Sequence, residues 1–133
     1  MPTIETDIIF ALLNPNDRYH SLASKFFSEI IKGRKINLPT SVLIEIELIY
    51  KSENREKDLK NHIAHLTVIP NLEILPLTPD IVLLAIELRE EYQLSFFDSH
   101  HVATALIEDG ILIGTDKAFE EIEGLTMIYP EAL

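Results

Sequence analysis

The segment LSFFDSHHVATALIEDG, Leu94–Gly110, runs directly into ILIGTDKAFEEI, Ile111–Ile122, and this pair of stretches decides the fold. With a helix starting near Phe96, the residues Asp98, Val102, Ala105 and Leu106 fall at i, i+4, i+7 and i+8 and share one stripe. A carboxylate is thus placed on the side of the helix that carries its apolar residues. ILIGT then reads as a short strand, followed by a second helical stretch, DKAFEEI.

The same alternation appears at the N-terminus, where TIET reads as a strand and DIIFALLN as a helix. Between these ends, a helix from about Asp17 to Ile31 gathers Leu22, Ala23, Phe26, Phe27, Ile30 and Ile31 on one face, and Gly33 stops it. A second helix follows LPTS and runs to about Ser52; a third spans Arg55 to Val68, with Leu59, Ile63 and Leu66 in register. LEILPL reads as a strand, after which Thr78 caps and Pro79 opens a helix reaching Tyr92. Strands separated by helical connections cannot pair as hairpins, so the expected architecture is a three-layer α/β/α domain with a mainly parallel central sheet. Ligands of such sheets gather beyond the carboxyl ends of the strands. That rule selects Asp7 after the first strand, Asp116 after ILIGT, and Asp98 at the head of the helix before it.

Composition sets the outer bounds. A chain of 133 residues with 47% apolar content is expected to form one domain, 1–133, with a substantial core. It contains no cysteine, which excludes disulfides, thiolate metal sites and cysteine nucleophiles and makes a cytoplasmic location the default. No apolar run approaches the roughly 20 residues of a membrane span, so no membrane association is expected. The net charge of −11 argues against nucleic acid on a simple reading. A site that collects carboxylates to hold divalent cations escapes that argument, because it is acidic in sequence and far less so once loaded.

The chain has 22 acidic residues, so position must discriminate among them. Glu53, Glu56 and Asp58, Glu90 and Glu91, and Glu120, Glu121 and Glu123 all lie in charged company, as solvated faces do. Glu45 differs. Its helical neighbours Ser41, Val42, Leu48 and Ile49 place it mid-face, whereas Glu47 points toward Tyr50 and Lys51. A mid-helix carboxylate among aliphatic residues is costly unless paired, hydrogen-bonded or metal-bound, and no lysine or arginine lies three or four residues away. Asp7, Asp98 and Asp116 each admit a plainer reading as helix caps, with Asp98 at the third position of a capping box opened by Ser95. If all four carboxylates converge, their repulsion calls for a divalent cation, and all-oxygen ligation suits Mg²⁺ or Mn²⁺. Such an ion acidifies water and stabilises a leaving oxygen, which is chemistry that cleaves phosphodiesters.

On these residues the chain resembles the PIN-domain family, of the small kind found as VapC-like toxins. Asp7 matches the first acidic position, Glu45 in SVLIE the second, Asp98 in LSFFDSHHVATA the third, and Asp116 in GTDKAFEEI the fourth, with Thr115 at the adjoining hydroxyl position. GLTMIYPE stands in place of the closing strand, and the likeness runs from Thr3 to about Glu131. It implies a Mg²⁺- or Mn²⁺-dependent endoribonuclease, a homodimer, and a cognate antitoxin partner. Asp7, Glu45, Asp98 and Asp116 would hold the ion, and Thr115 would orient one ligand or a water. Two positions depart from the pattern: Ile8 stands where many members carry Thr or Ser after the first Asp, and Ala118 where many carry a further acid, which Glu120 or Glu121 would have to replace.

Other features have ordinary readings beside the functional one. His101 lies in reach of the site as a proton shuttle or supporting partner, although a surface or interface histidine is commoner; His100 is angled away. Lys117 next to Asp116 would suit a substrate phosphate, yet also a solvated first turn. The competing function is a catalytically silent interaction module that keeps the acidic cluster for folding or partner binding.

Overall fold

The computed structural model describes all residues from Met1 to Leu133. Its elements follow in the order β1 (Thr3–Ile4), α1 (Thr6–Leu13), α2 (His20–Ile31), β2 (Ile36–Pro39), α3 (Thr40–Ser52), α4 (Glu56–Thr67), β3 (Leu72–Leu75), α5 (Pro79–Glu91), α6 (Phe96–Ile107), β4 (Ile111–Ile113) and β5 (Thr126–Ile128). The five strands form one sheet in the order β3-β2-β1-β4-β5, and every neighbouring pair is parallel. This is the expected α/β/α architecture. One strand was not foreseen: β2, the fully buried run INLP, lies too close to α3 to announce itself by periodicity.

Two apolar clusters cover the two faces of the sheet. Ile4, Ile36, Leu38 and Ile113 pack with α1, α2, α3 and α4, whereas Leu112 packs with α5 and α6. Ile113 and Leu112 are adjacent in sequence and belong to opposite clusters, as the period-two alternation of a strand requires. The chain builds outward from β1 through β2 to β3, then returns across the sheet to β4. Strand order therefore reverses between β1 and β4, and sheets of this kind bind ligands beyond the carboxyl ends of the strands at such a switch point.

Local chemistry sets the ends that matter. Thr78 accepts a hydrogen bond from the Ile81 amide and Pro79 opens α5, as expected. Ser95 caps α6 by accepting from the Asp98 amide at 3.3 Å. Asp98 thus sits at the third helical position, and its carboxylate makes no hydrogen bond back to Ser95, so only half of a capping box forms. The stretch DKAFEEI departs from expectation. Only a short 3₁₀ helix forms, Lys117–Glu121, because Phe119 and Ile122 must both turn into the cluster beneath α5 and α6.

Candidate active site

The chain leaves β1 at Glu5, which is the N-cap of α1, so Asp7 lies inside the first turn of that helix rather than directly after the strand. This corrects the expected placement and brings forward a residue the sequence reading passed over. Glu5 is only 6% exposed. Its amide donates to the Ile113 carbonyl at 3.0 Å, anchoring it beside β4 at the switch point. Burial first, and then the charges of Asp7, Asp98 and Glu45, push its carboxyl up to about 10. Glu5 is thus the residue on which three of the four nominated carboxylates bear.

Asp7 is raised from its ordinary value by burial, an effect partly offset by hydrogen bonds from Thr115, Glu5 and the Ile8 amide. Thr115 grips one oxygen, Oδ2, twice: its amide donates at 2.7 Å and its hydroxyl donates to the same atom. Oδ1 is buried without a partner. A glutamic acid proton from Glu5 can be shared with Asp7, but with both groups ionised nothing on the protein balances that oxygen. Gly114 makes the close approach possible, since a Cβ there would stand 2.7 Å from Glu5 Oε2 and 3.6 Å from Asp7 Oδ1.

Glu45 reaches from α3 to Thr6 at the head of α1 and to His101 on α6, while Glu47 faces solvent as expected. Burial raises its carboxyl, but hydrogen bonds from His101 and Thr6 outweigh this and leave it below its ordinary value. The Thr6 hydroxyl donates to Glu45 Oε1, and His101 Nε2 lies 3.0 Å from the same oxygen. The hydroxyl that the family pattern places after the first acid, and that Ile8 cannot supply, is provided by Thr6 directly after Glu5. The TIETD stretch held this signal: an acid followed by a hydroxyl at the end of a strand, two positions earlier than the Asp7 frame.

Asp116 stands apart. It is exposed, its Oδ1 accepts from the Ala118 amide at 2.9 Å, and it contributes to the shift of Tyr129 rather than to that of Glu5. The capping role is the one it performs here. Glu120 accepts from the Tyr129 hydroxyl and Glu121 is exposed, so neither turns toward Asp7 in place of the acid absent at Ala118. Lys117 is likewise exposed. No three His, Asp or Glu side chains stand close enough together to hold a metal ion in this geometry. The donor set nevertheless fits a hard cation. Its atoms are carboxylate oxygens, one of them buried and unpartnered, and none of the ion pairs in the protein places a lysine or arginine on Glu5, Asp7, Glu45 or Asp98.

The profile of the PIN domain matches residues 3–125. The chain belongs to the PIN domain family. Among solved structures it is similar to VapBC2 from Rickettsia felis bound to a DNA fragment from its promoter, with 17% identity over 96% of each chain and a TM-score of 0.76. It is also similar to VapC20 from Mycobacterium tuberculosis, a sarcin-ricin loop cleaving toxin, with 18% identity over 90% of this chain and 93% of that one and a TM-score of 0.73. FitAcB from Neisseria gonorrhoeae matches at 15% identity over 100% of both chains, again with a TM-score of 0.73. No curated protein sequence matches the chain. At these identities the PIN-domain structures share the fold. No helix of this PIN-domain chain is long and apolar enough to cross a membrane.

Proposed function

We propose that this PIN-domain chain is a divalent-metal-dependent endoribonuclease and the toxin half of a toxin–antitoxin pair, acting in the cytoplasm. The observation that carries this reading is the buried Glu5–Asp7 pair, pressed by the charges of Glu45 and Asp98 with no lysine or arginine paired to any of the four. Glu5, Asp7, Glu45 and Asp98 would hold Mg²⁺ or Mn²⁺. When bound there, the ion supplies positive charge that acidifies water and offsets the charge accumulating on a phosphodiester. Thr115 locks Asp7 through Oδ2 and leaves Oδ1 free for ligation, while Thr6 and His101 hold Glu45. Asp116, exposed and capping its own 3₁₀ turn, stays outside this set.

The partners follow from the same reading. RNA is the substrate, in keeping with a relative described as cleaving the sarcin-ricin loop. An antitoxin is the regulator, in keeping with a similar structure described as a toxin-antitoxin complex. A second copy of the chain covers the apolar side chains left exposed on α3 and α5, namely Ile44, Leu48, Val82, Leu83 and Ile86.

One observation favours the rival reading of a silent interaction module: the carboxylates do not stand close enough to share an ion. Incubating the protein with unstructured RNA and Mn²⁺ separates the two. The nuclease reading expects cleavage that is lost in Asp7→Asn and Glu5→Gln proteins that remain folded. Mn²⁺ binding without cleavage by the wild type would favour the module.

A further inference from the structure

His101 is the most deeply buried titratable side chain of α6, with no exposed surface, and both ring nitrogens are engaged. Nδ1 lies 2.8 Å from the Ser41 hydroxyl. Nε2 lies 3.0 Å from Glu45 Oε1 and 3.0 Å from Thr6 Oγ1. The proton inventory fixes the direction of the bond at Nε2. The Thr6 hydroxyl donates to Glu45 Oε1, so the contact of Nε2 with that same carboxylate oxygen is made by an N–H on Nε2. Nδ1, on the other side of the ring, is tied to the Ser41 hydroxyl. Both donors to Glu45, the Thr6 hydroxyl and His101 Nε2–H, converge on Oε1.

We infer that His101, set by Ser41, is a positioning residue that fixes the Glu45 carboxylate by Oε1 and presents Oε2 to the divalent cation. The inference rests on the metal-dependent reading above. The chain runs across the fold from Ser41 in the first turn of α3, through His101 on α6, back to Glu45 one turn further along α3 and to Thr6 at the head of α1. One imidazole thereby ties together α1, α3 and α6. Phe97, one turn before His101, lies against the ring with centroids 6.4 Å apart and planes 23° from parallel, which limits the ring's rotation. Outer hydrogen bonds of this kind set the orientation and basicity of a carboxylate ligand, and their loss weakens metal binding by about 10–100-fold.

The test uses the whole protein and two measurements. In the metal-free wild type, ¹⁵N correlation spectra of the imidazoles should show a proton held on His101 Nε2, the atom facing Glu45. Mn²⁺ titration by calorimetry should then show His101→Leu, which keeps volume but removes the donor, binding about 10–100-fold more weakly. His101→Gln, whose amide can donate from nearly the same position, should recover most of the affinity. In RNA cleavage the loss in His101→Leu should fall on kcat, with KM little changed. Should His101→Leu fail to fold, Ser41→Ala carries the test: it should loosen the ring and weaken Mn²⁺ binding in the same direction. A His101 Nε2 that carries no proton in the wild type, or a folded His101→Leu or Ser41→Ala protein with wild-type Mn²⁺ affinity, overturns the inference while leaving the nuclease reading standing. A wild type that binds no Mn²⁺ removes both.

Discussion

Asp7 and Asp116 look alike in sequence and fare oppositely in the fold. Each follows the end of a strand, Asp7 in the first turn of α1 and Asp116 as the cap of the 3₁₀ turn, and the pairing of β1 with β4 brings those strand ends side by side. Asp7 is held through Oδ2 by Thr115, with Oδ1 buried and unpartnered beside Glu5. Asp116 bonds its own chain two residues on and stays in solvent. The difference lies in what surrounds the backbone. The first turn of α1 is pressed against the sheet by Ile8 and Ile9, whereas the 3₁₀ turn after Asp116 is held from beneath by Phe119 alone of its five residues. A carboxylate on a packed turn is forced inward and must find a counter-charge. One on a loose turn satisfies a cap and needs nothing more.

The sharpest way to break this contrast is kinetic. Removing the charge at the packed end, by Asp7→Asn or Glu5→Gln, should lower Mn²⁺-dependent RNA cleavage by more than about 100-fold, beyond what loss of an outer hydrogen bond achieves. Asp116→Asn should cost about tenfold or less under the same conditions, because the side chain stands outside the cluster. Equal losses at both ends would show that Asp116 swings inward on loading, and the two aspartates would then be equivalent after all.

A second prediction concerns stability in the absence of metal. Glu5 ionises near 10 in the folded chain against an ordinary value of 4.5. Between those limits the folded state keeps a proton that the unfolded state has released, so stability must fall as pH rises, by up to about 1.4 kcal/mol per pH unit. Asp7, also raised, adds to the loss just above its ordinary range. Glu45, which is lowered, acts with the opposite sign, and its contribution disappears only as pH falls below the ordinary carboxylate range. Thermal melting in EDTA from pH 5.5 to 9 should therefore show Tm declining, with Glu5→Gln flattening most of the slope. A wild-type Tm that is level across this range would mean that Glu5 is not buried as a carboxyl.

What the sequence made legible follows the same line. Helices with broad apolar faces, the Thr78-Pro79 start of α5 and the capped start of α6 were readable because each signal is local. Glu45 was readable because its helix neighbours are apolar on both sides. Glu5 was not, since a charged residue next to a two-residue strand carries no periodicity, and its burial comes from β4, more than a hundred residues away in sequence. His101 was half legible: it lies three residues past Asp98 and four before Ala105, on the buried side of α6, but its partners Ser41, Thr6 and Glu45 belong to other helices. The separate fate of Asp116 depended on a 3₁₀ turn replacing the expected helix, a choice made by the packing of Phe119 and Ile122.

A third prediction moves from charge to space. Gly114→Ala would bring a methyl to 2.7 Å from Glu5 Oε2, so the carboxyl must shift within its buried pocket. Overpacking of that size costs about 1–3 kcal/mol, and here the displaced atom belongs to the cluster itself. Mn²⁺ affinity should therefore suffer out of proportion to the change in melting temperature. If both move together, the glycine matters to the fold and not to the site.

The smallest effect is expected where the comparison began, at the loose end. Asp116→Ala removes the acceptor of the Ala118 amide, and losing such a cap destabilises by about 0.5–2 kcal/mol, with an exposed 3₁₀ turn at the low end. Chemical denaturation should resolve it as a small drop in midpoint with an unchanged slope. Asp116→Ser, which restores an acceptor without the charge, should recover most of that stability. Its RNA cleavage then isolates the charge: a Ser protein that is stable yet slow assigns Asp116 an electrostatic part in the reaction, and one that is stable and active leaves it a cap.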